Sequence, residues 1–448
     1  MKRSFIFLQG PVGPFFRMLG RSLMQEGQRV TRINFNGGDI VDWHGPDTVI
    51  LREKAKDWPG FLVELICGNE VTDLITYGDC RPHLRAGTTI ARSMGVRCHV
   101  FEQGYIRPDF ITLEDSGVNG HSLLPKSPEW YIDLAGRLPR DTPVRPARSS
   151  LKTVTGHTIR YYSAKYAAQM FFPCFRNHRP YSERENTCRW ALKIVGMKSD
   201  IKRDLEFQRQ FLASSRRFFL FCLQLDADYQ IRFHSPFANI LSAIQTVLTS
   251  FSRNSRPGVN LLVKSHPMEL WPSQLEAFTL NLARRLGIEK RVFFTSGGSL
   301  PAYIKASLGM VTVNSTAGLA SLDHSRPTIV LGKAVYDIPG ITHGGGLDGY
   351  WDDPVPPDQD LYSAFRRVLI HKTQINGNFD TREGMQLALQ TAIQRLLGRE
   401  DIYTGGNQDW PLRLEYATKP LRRPSKRFPR LNDMKESSSI CRQHNSIQ

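Results

Sequence analysis

Four short stretches place acids, bases and cations just beyond apolar runs. Tyr77-Gly78-Asp79-Cys80-Arg81-Pro82-His83 follows the run Asp73 to Tyr77, so a carboxylate and a guanidinium, Asp79 and Arg81, emerge together past a strand end. Such a pair suits a nucleophile or base beside an anion clamp. A turn-forming aspartate or a structural Asp-Arg pair would use the same residue types. The next run ends in Phe101-Glu102-Gln103-Gly104-Tyr105-Ile106-Arg107-Pro108-Asp109, which brings Glu102 to the same edge. Two carboxylates in one cleft can hold different pKa values and divide nucleophile and acid/base roles. Arg107, and Asn119 within Gly117-Val118-Asn119-Gly120, add polar groups to that rim and stand with Arg81 as substrate-binding candidates. Thr112 and Glu114 lie on the same rim, where their commoner use is in forming loops.

In the second half, Leu262-Val263-Lys264-Ser265-His266-Pro267 closes a strand with a cation, an imidazole and a helix-blocking proline. Lys264 and His266 can hold a phosphate or stabilise a leaving phosphate oxygen. Val313-Asn314-Ser315-Thr316-Ala317-Gly318 ends a strand and opens a helix, so Ser315, Thr316 and nearby backbone N–H groups can cradle one phosphate. Ordinary helix capping by Ser or Thr predicts the same residues. What favours the binding reading is that both motifs fall on one sheet edge. Gln9-Gly10-Pro11-Val12-Gly13-Pro14 joins a strand to a helix, and Gly10 and Gly13 let backbone approach a ligand or simply make a tight turn. It is neither a GxGxxG nor a Walker loop. No DxD closes a strand, although Asp226 and Asp228 form a DAD after the run at 218–224, which also reads as a polar turn. No metal ligand set is expected.

The elements that must carry these motifs alternate. Strands are expected at 5–9, Arg29 to Phe35, Asp73 to Tyr77 and Arg97 to Phe101, with helices from Phe15 to Glu26 and His83 to Met94. A second alternation begins at FFLFCLQ (218–224), with a helix from Phe237 to Phe251, a strand in VNLLVKSHP and a helix from Gln274 to Leu286. RVFFTSG, GMVTVNST and RPTIVLG supply three more buried strands. Such alternation implies parallel sheets covered on both faces. The fold class is therefore α/β, with two Rossmann-like domains facing a central cleft that holds the ligand. The expected boundaries are 1–123 for the first domain, 124–201 for a helical connector and 202–345 for the second domain. A loop and helices occupy 346–404, reading as one helix from Leu361 to Leu397, and 405–448 is a basic tail expected to be disordered.

Composition narrows the classes. The chain has 448 residues, 40% hydrophobic and 23% charged, enough for two or three globular units and too apolar for a disordered or fibrous protein. Its 59 Lys and Arg exceed 42 Asp and Glu, for a net charge of +17, which favours phosphate-rich partners or an anionic membrane surface. Nucleic acid is not an expected partner: no RNP pattern, helix-turn-helix pattern or basic stripe with interleaved aromatics accompanies the charge. Seven cysteines without a CxxC pair argue against a zinc ribbon or a disulfide framework and for a reducing compartment. The apolar run near the start, Phe5 to Leu8, is too short for a signal peptide, and no window has the roughly 20 apolar residues needed to span a bilayer. A soluble, cytoplasmic protein is expected.

Taken in order, FLQGPVGPFF, INFNGGD, YGDCRPH, FEQGYIRPDFITLE, GVNG, KSHP and VNSTAGL resemble the capsular polysaccharide biosynthesis proteins of the KpsS/LipB type, over roughly residues 5 to 345. The resemblance implies a glycosyltransferase of bacterial capsule assembly in a GT-B-like arrangement, with no cofactor and CMP-Kdo as donor substrate. It implies transfer of Kdo, with retention of β configuration, to a phosphatidylglycerol-type lipid acceptor, and so a peripheral position at the inner leaflet of the cytoplasmic membrane. Other capsule assembly and export proteins become candidate partners. By the same resemblance His266, Pro267, Asn314, Ser315 and Thr316, with Lys264 and Gly318, bind the CMP side. Asp79 and Glu102 face the Kdo anomeric centre and the acceptor, as nucleophile or ion-pair stabiliser and as acid/base, or in the reverse order. The family's acidic pair after this strand is here Glu102-Gln103, which leaves one carboxylate at that step. A different class is also open: a non-catalytic capsule export or assembly component that binds glycolipid and membrane partners through its basic surface.

Overall fold

The computed structural model describes residues 2–52, 57–140, 143–172, 183–225 and 229–398. Asp226, Asp228 and the basic tail lie outside the described residues. Twelve strands occur among those described. In chain order they are β1 (Ser4–Phe7), β2 (Arg29–Asn34), β3 (Thr48–Ile50), β4 (Asp73–Tyr77), β5 (Arg97–Gln103), β6 (Phe110–Asp115), β7 (Phe218–Cys222), β8 (Asn260–Lys264), β9 (Val292–Thr295), β10 (Gly309–Thr312), β11 (Thr328–Val330) and β12 (Gln374–Asn376).

They form two sheets, in the orders β12-β6-β5-β4-β1-β2-β3 and β11-β10-β7-β8-β9. Each contains five parallel strands that spread in both directions from its first strand, the arrangement of a doubly wound Rossmann-type sheet. The strand order reverses between β1 and β4 in the first sheet and between β7 and β10 in the second. At such a switch point the following loops diverge to opposite faces and leave a crevice. The expected α/β class with two Rossmann-like sheets is what the chain adopts.

Local sequence explains the main elements. SFIF, FFLFC and NLLVK are buried at every position, as strands covered on both faces must be. Helix Phe15–Gln25 buries Phe15, Phe16, Leu19 and Leu23, one apolar stripe at helical spacing. The helix expected from Phe237 begins at Ile240, because Asn239 caps it in a reciprocal pair with Ser242.

Three features depart from expectation. The first sheet is not wholly parallel: β6 runs antiparallel to β5, and β12 antiparallel to β6. The turn between β5 and β6 is too short for a crossover helix, and it is tight enough that a Cβ on Gly104 would lie 2.0 Å from the Phe110 carbonyl oxygen. The single helix expected over 361–397 is instead helix Gln359–Thr373, then β12, then helix Arg382–Leu397. Gly377 at φ 141° ends the strand, and the Asn378 side chain accepts from the Asp380 and Thr381 amides at 2.9 and 2.8 Å. Finally, helix Glu183–Ala213 runs past residue 201 into the second domain, where Phe211 packs edge-on against Phe218 and Phe293.

Apolar packing joins the halves. Phe5, Phe7, Phe15, Phe101 and Ile111 share a core with Ile375, Phe379 and Met385 from near the end of the described chain. Another core combines Tyr105, Leu124 and Tyr131 with Leu319, Tyr336, Phe365 and Leu369, so it spans both sheets beside the cleft. Lys126 Nζ donates across the same seam to the Ala334 carbonyl at 2.6 Å.

Candidate active site

Asp79 stands at the switch point of the first sheet, where Gly78, at φ 72°, turns the chain after β4. The carboxylate is 3% exposed. Its Oδ2 accepts from the Val118 amide at 3.2 Å and from His121 Nδ1 at 3.1 Å, and its Oδ1 accepts from Cys80 Sγ at 3.2 Å. Burial alone would raise this carboxyl. The His121 and Cys80 bonds, the His121 charge and the Val118 amide outweigh it and hold Asp79 below the usual carboxylate range. Burial and the Asp79 charge push the Cys80 thiol up, so it serves as a donor.

The second domain reaches into this cluster. His234, at the end of the short helix Tyr229–His234, places Nε2 3.1 Å from Cys80 Sγ, and its ring meets His121 edge-on at 4.4 Å between centroids. Burial, then the neighbouring His121 and Lys333 charges, drops His234 to about 4 and keeps it neutral. Glycines allow this closeness. A Cβ on Gly117 would lie 3.1 Å from Asp79 Oδ2, and one on Gly120 2.4 Å from His234 Nδ1. Asp79, Cys80, His121 and His234 also offer one potential ligand atom each, all within 4.8 Å of one another, a donor set suited to a transition-metal ion. His234 Nδ1 is buried there with no hydrogen-bond partner.

A second polar cluster flanks Asp79 on the same sheet edge. Gln9, just past β1, accepts from Arg81 Nη1 at 2.8 Å and donates to the Tyr161 hydroxyl at 3.0 Å. Tyr161 in turn donates to Asp39 at 2.9 Å, and Asp39 also accepts from the Phe35 amide at 2.9 Å. Arg32 lies 3.6 Å from Asp39, and both are nearly fully buried. Behind Asp79, Glu114 is 3% exposed and accepts from Tyr105 at 2.6 Å and from Ser122. Burial above all, with Asp79 and Asp115 adding to it against those two bonds, raises the Glu114 carboxyl to about 7.

Across the cleft, the edge of the second sheet is cationic. Lys264 is 4% exposed, and its ammonium has one long hydrogen bond, 3.4 Å to the Ser265 carbonyl. The Ser265 hydroxyl is buried with no hydrogen-bond partner. His266 Nδ1 accepts from the Met268 amide at 3.1 Å, which leaves the ring proton on Nε2. Burial and the charges of Lys264, Arg107 and Lys193 lower His266 to about 4. Arg107 belongs to the first domain and lies near enough to His266 for its charge to act on the imidazole.

A family model described as "Capsule polysaccharide biosynthesis protein" matches residues 72–380. That interval begins at the strand leading to Asp79 and contains His121, His234, Lys264 and His266. The chain belongs to the capsule polysaccharide biosynthesis family. It is 33% identical over 388 residues to the capsule polysaccharide modification protein LipB of Neisseria meningitidis serogroup B, covering 84% of this chain and 91% of the relative. It is 32% identical over 376 residues to the capsule polysaccharide export protein KpsS of Escherichia coli, covering 84% and 96%. Among solved structures, the β-Kdo 2,7 transferase KpsC of Thermosulfurimonas dismutans aligns over 89% of this chain and 99% of its own, with 12% identity and a TM-score of 0.43.

In this family member the expected residues take differing places. Asp79 and Glu102 are neighbours, since a Cβ on Gly78, next to Asp79, would lie 3.3 Å from Glu102 Oε2. Arg81 is held by Gln9, and Asn119, at φ 58°, donates its amide to Tyr105 at 2.6 Å. Lys264 and His266 share one edge, and the exposed Pro267 offers its carbonyl to Lys193 at 2.6 Å. Asn314 is drawn inward: its side chain accepts from Gln224 at 2.8 Å and donates to the His234 carbonyl at 3.2 Å. Ser315 takes the turn bond from the Ala317 amide at 3.2 Å, whereas Thr316 makes no side-chain capping bond. The expected backbone roles of three glycines give way to packing. Gly13 donates its amide to Asp42 at 2.8 Å, so that N–H is not left for an anion. A Cβ on Gly10 would strike the Phe16 ring at 2.6 Å, and one on Gly318 the Tyr336 hydroxyl at 2.2 Å.

Sequence reading passed over His121, His234 and Tyr161 and gave Cys80 no role. His121 directly follows the quoted GVNG, so extending that motif by one residue would have found it. His234 and Cys80 are 154 positions apart and carry no local signal of their contact.

Proposed function

We propose that this protein is a glycosyltransferase that transfers Kdo from CMP-Kdo to a phosphatidylglycerol-type lipid acceptor, with CMP as leaving group. The observation that carries the reading is an ionised carboxylate at the first sheet's switch point, in a cluster completed by His234 of the second domain, with a neutral imidazole and a buried ammonium at a strand end of the second sheet. The family membership and the relatives' capsule-related names support it.

In this reading Lys264, His266 and Arg107 neutralise the phosphate of CMP. As the bond between that phosphate oxygen and the Kdo anomeric carbon breaks, an Asp79 oxygen bonds to that carbon and the electron pair leaves with CMP. His266, with a proton on Nε2, donates a hydrogen bond to the departing phosphate oxygen. Glu102 then takes the proton of the acceptor hydroxyl, whose oxygen attacks the same carbon and displaces Asp79. Two inversions give net retention.

The decisive experiment is incubation of purified protein with freshly generated CMP-Kdo and a short-chain phosphatidylglycerol, with mass spectrometry for the Kdo-lipid adduct. Product from the wild type and none from folded Asp79→Ala establishes the transferase. Absence of adduct from the wild type, with retained binding to lipid or capsule proteins, establishes instead a non-catalytic assembly component.

A further inference from the structure

Helix Leu151–Ala167 has two unlike faces. The inner one is clamped to the first domain: Tyr161 is buried against Gln9 and Asp39, and a Cβ on Gly37 would lie 2.4 Å from the Ala164 carbonyl oxygen. The outer one presents Leu151 at 74% exposure and Ile159 at 61%, and the 3-10 turn Gln169–Phe171 extends it with Met170 at 90% and Phe171 at 67%. At about 100° per residue, Leu151 and Ile159 lie about 80° apart on the helix, and Met170 and Phe171 follow in the 3-10 turn that continues the chain beyond it. Four large apolar side chains this exposed within one short stretch of chain exceed the scatter of single surface apolar residues. The same stretch is strongly basic: residues 143–172 contain Arg145, Arg148, Lys152, Arg160 and Lys165 and no Asp or Glu, and of these Arg160 is paired with Asp42.

We infer that this outer face docks onto an anionic lipid bilayer, with the four apolar side chains entering the interface and the flanking cations meeting the headgroups. The inference rests on the lipid-acceptor reading and locates where the acceptor enters, because the inner face of the same helix lines the polar cluster beside Asp79. Charge selects this occupant. A second copy would bring the same cations against themselves, and the C-terminal segment of this chain, with Arg422, Arg423, Lys426, Arg427 and Arg430, is basic too. An anionic surface complements a stretch that joins exposed apolar side chains to basic residues with no acidic ones among them.

The test is co-flotation of the full chain with phosphatidylcholine vesicles, with and without about one-third phosphatidylglycerol, for the wild type and for Ile159→Glu combined with Met170→Glu. Exposed positions are chosen so that the fold survives, which circular dichroism checks. Binding to the anionic vesicles is expected to weaken by about tenfold or more in the variant. Transfer to a soluble short-chain acceptor should stay at the wild-type level, while transfer to vesicle-embedded acceptor falls. Undiminished vesicle binding by the folded variant would overturn the inference, as would a dimer of the wild type that the variant dissociates without change in vesicle binding. If the wild type transfers Kdo to neither acceptor, the catalytic reading fails, and the flotation result still decides the docking face.

Discussion

Asp79 is held by three donors yet stays charged, so its protonation should silence the protein on the acid side. Asp79→Ala is expected to lower transfer by about a thousandfold or more with unaltered folding, read as the initial rate of Kdo-lipid formation. His266 supplies a second, independent readout. Its low value in the free protein comes from burial and surrounding cations, and a bound phosphate opposes the cations. Titration by NMR should therefore show the His266 imidazole moving up from about 4 by about one pH unit or more when CMP is added; an unchanged value would place the phosphate elsewhere. Glu114 yields a stability prediction of definite sign. Its folded value of about 7 exceeds the ordinary 4.5, so the fold keeps a proton that the unfolded chain loses. Stability is fully present below about pH 4.5 and declines as pH rises through about 7, by on the order of 3 kcal/mol. Urea unfolding at pH 5 and pH 8 should show that decline in the wild type and a smaller one in Glu114→Gln.

At the scale of elements, the segment Gly117–His121 works as a clasp between the sheets. Its Val118 amide and His121 ring hold Asp79, the Asn119 amide is held by Tyr105, and Gly120 lies directly beneath His234. Adding one methyl group at Gly120 must push either the clasp or the His234 ring aside. Gly120→Ala is expected to cost about 1–3 kcal/mol of stability, as overpacking does, and to reduce transfer by loosening Asp79. Chemical denaturation and the adduct assay measure both effects, and a fully active, fully stable variant would show the contact to be dispensable.

At the scale of the whole molecule, the chain returns to where it began. Strand β12 closes the first sheet, Phe379 packs edge-on against Phe15 at 5.0 Å, and the Leu396 carbonyl accepts from Arg3. The first Rossmann-type unit is therefore completed by residues beyond 370. Residues 1–213 produced alone are expected not to fold cooperatively, because Phe15, Ile111 and Phe101 would lose part of their apolar cover. A sharp two-state unfolding transition for that fragment would contradict the arrangement. No helix among the described residues is long and apolar enough to cross a membrane.

Strand and helix rhythm alone determined both Rossmann-type sheets, since continuous apolar runs such as FIF and FFLFC can be buried only within a covered sheet. Strand ends also fixed which motifs reach a sheet edge, and so Asp79, Glu102, Lys264 and His266 were legible from local order. The antiparallel β6 and the short β12 were not. A three-residue strand has no periodicity to read, and its identity comes from the partner it finds. The roles of Gly10, Gly13 and Gly318 were likewise decided by Phe16, Asp42 and Tyr336 packing or bonding close by. Only tertiary structure joined Cys80 to His234 and Tyr161 to Asp39, because hydrogen bonds and burial depend on distance in space, and nothing in the sequence encodes distance between residues a hundred or more positions apart.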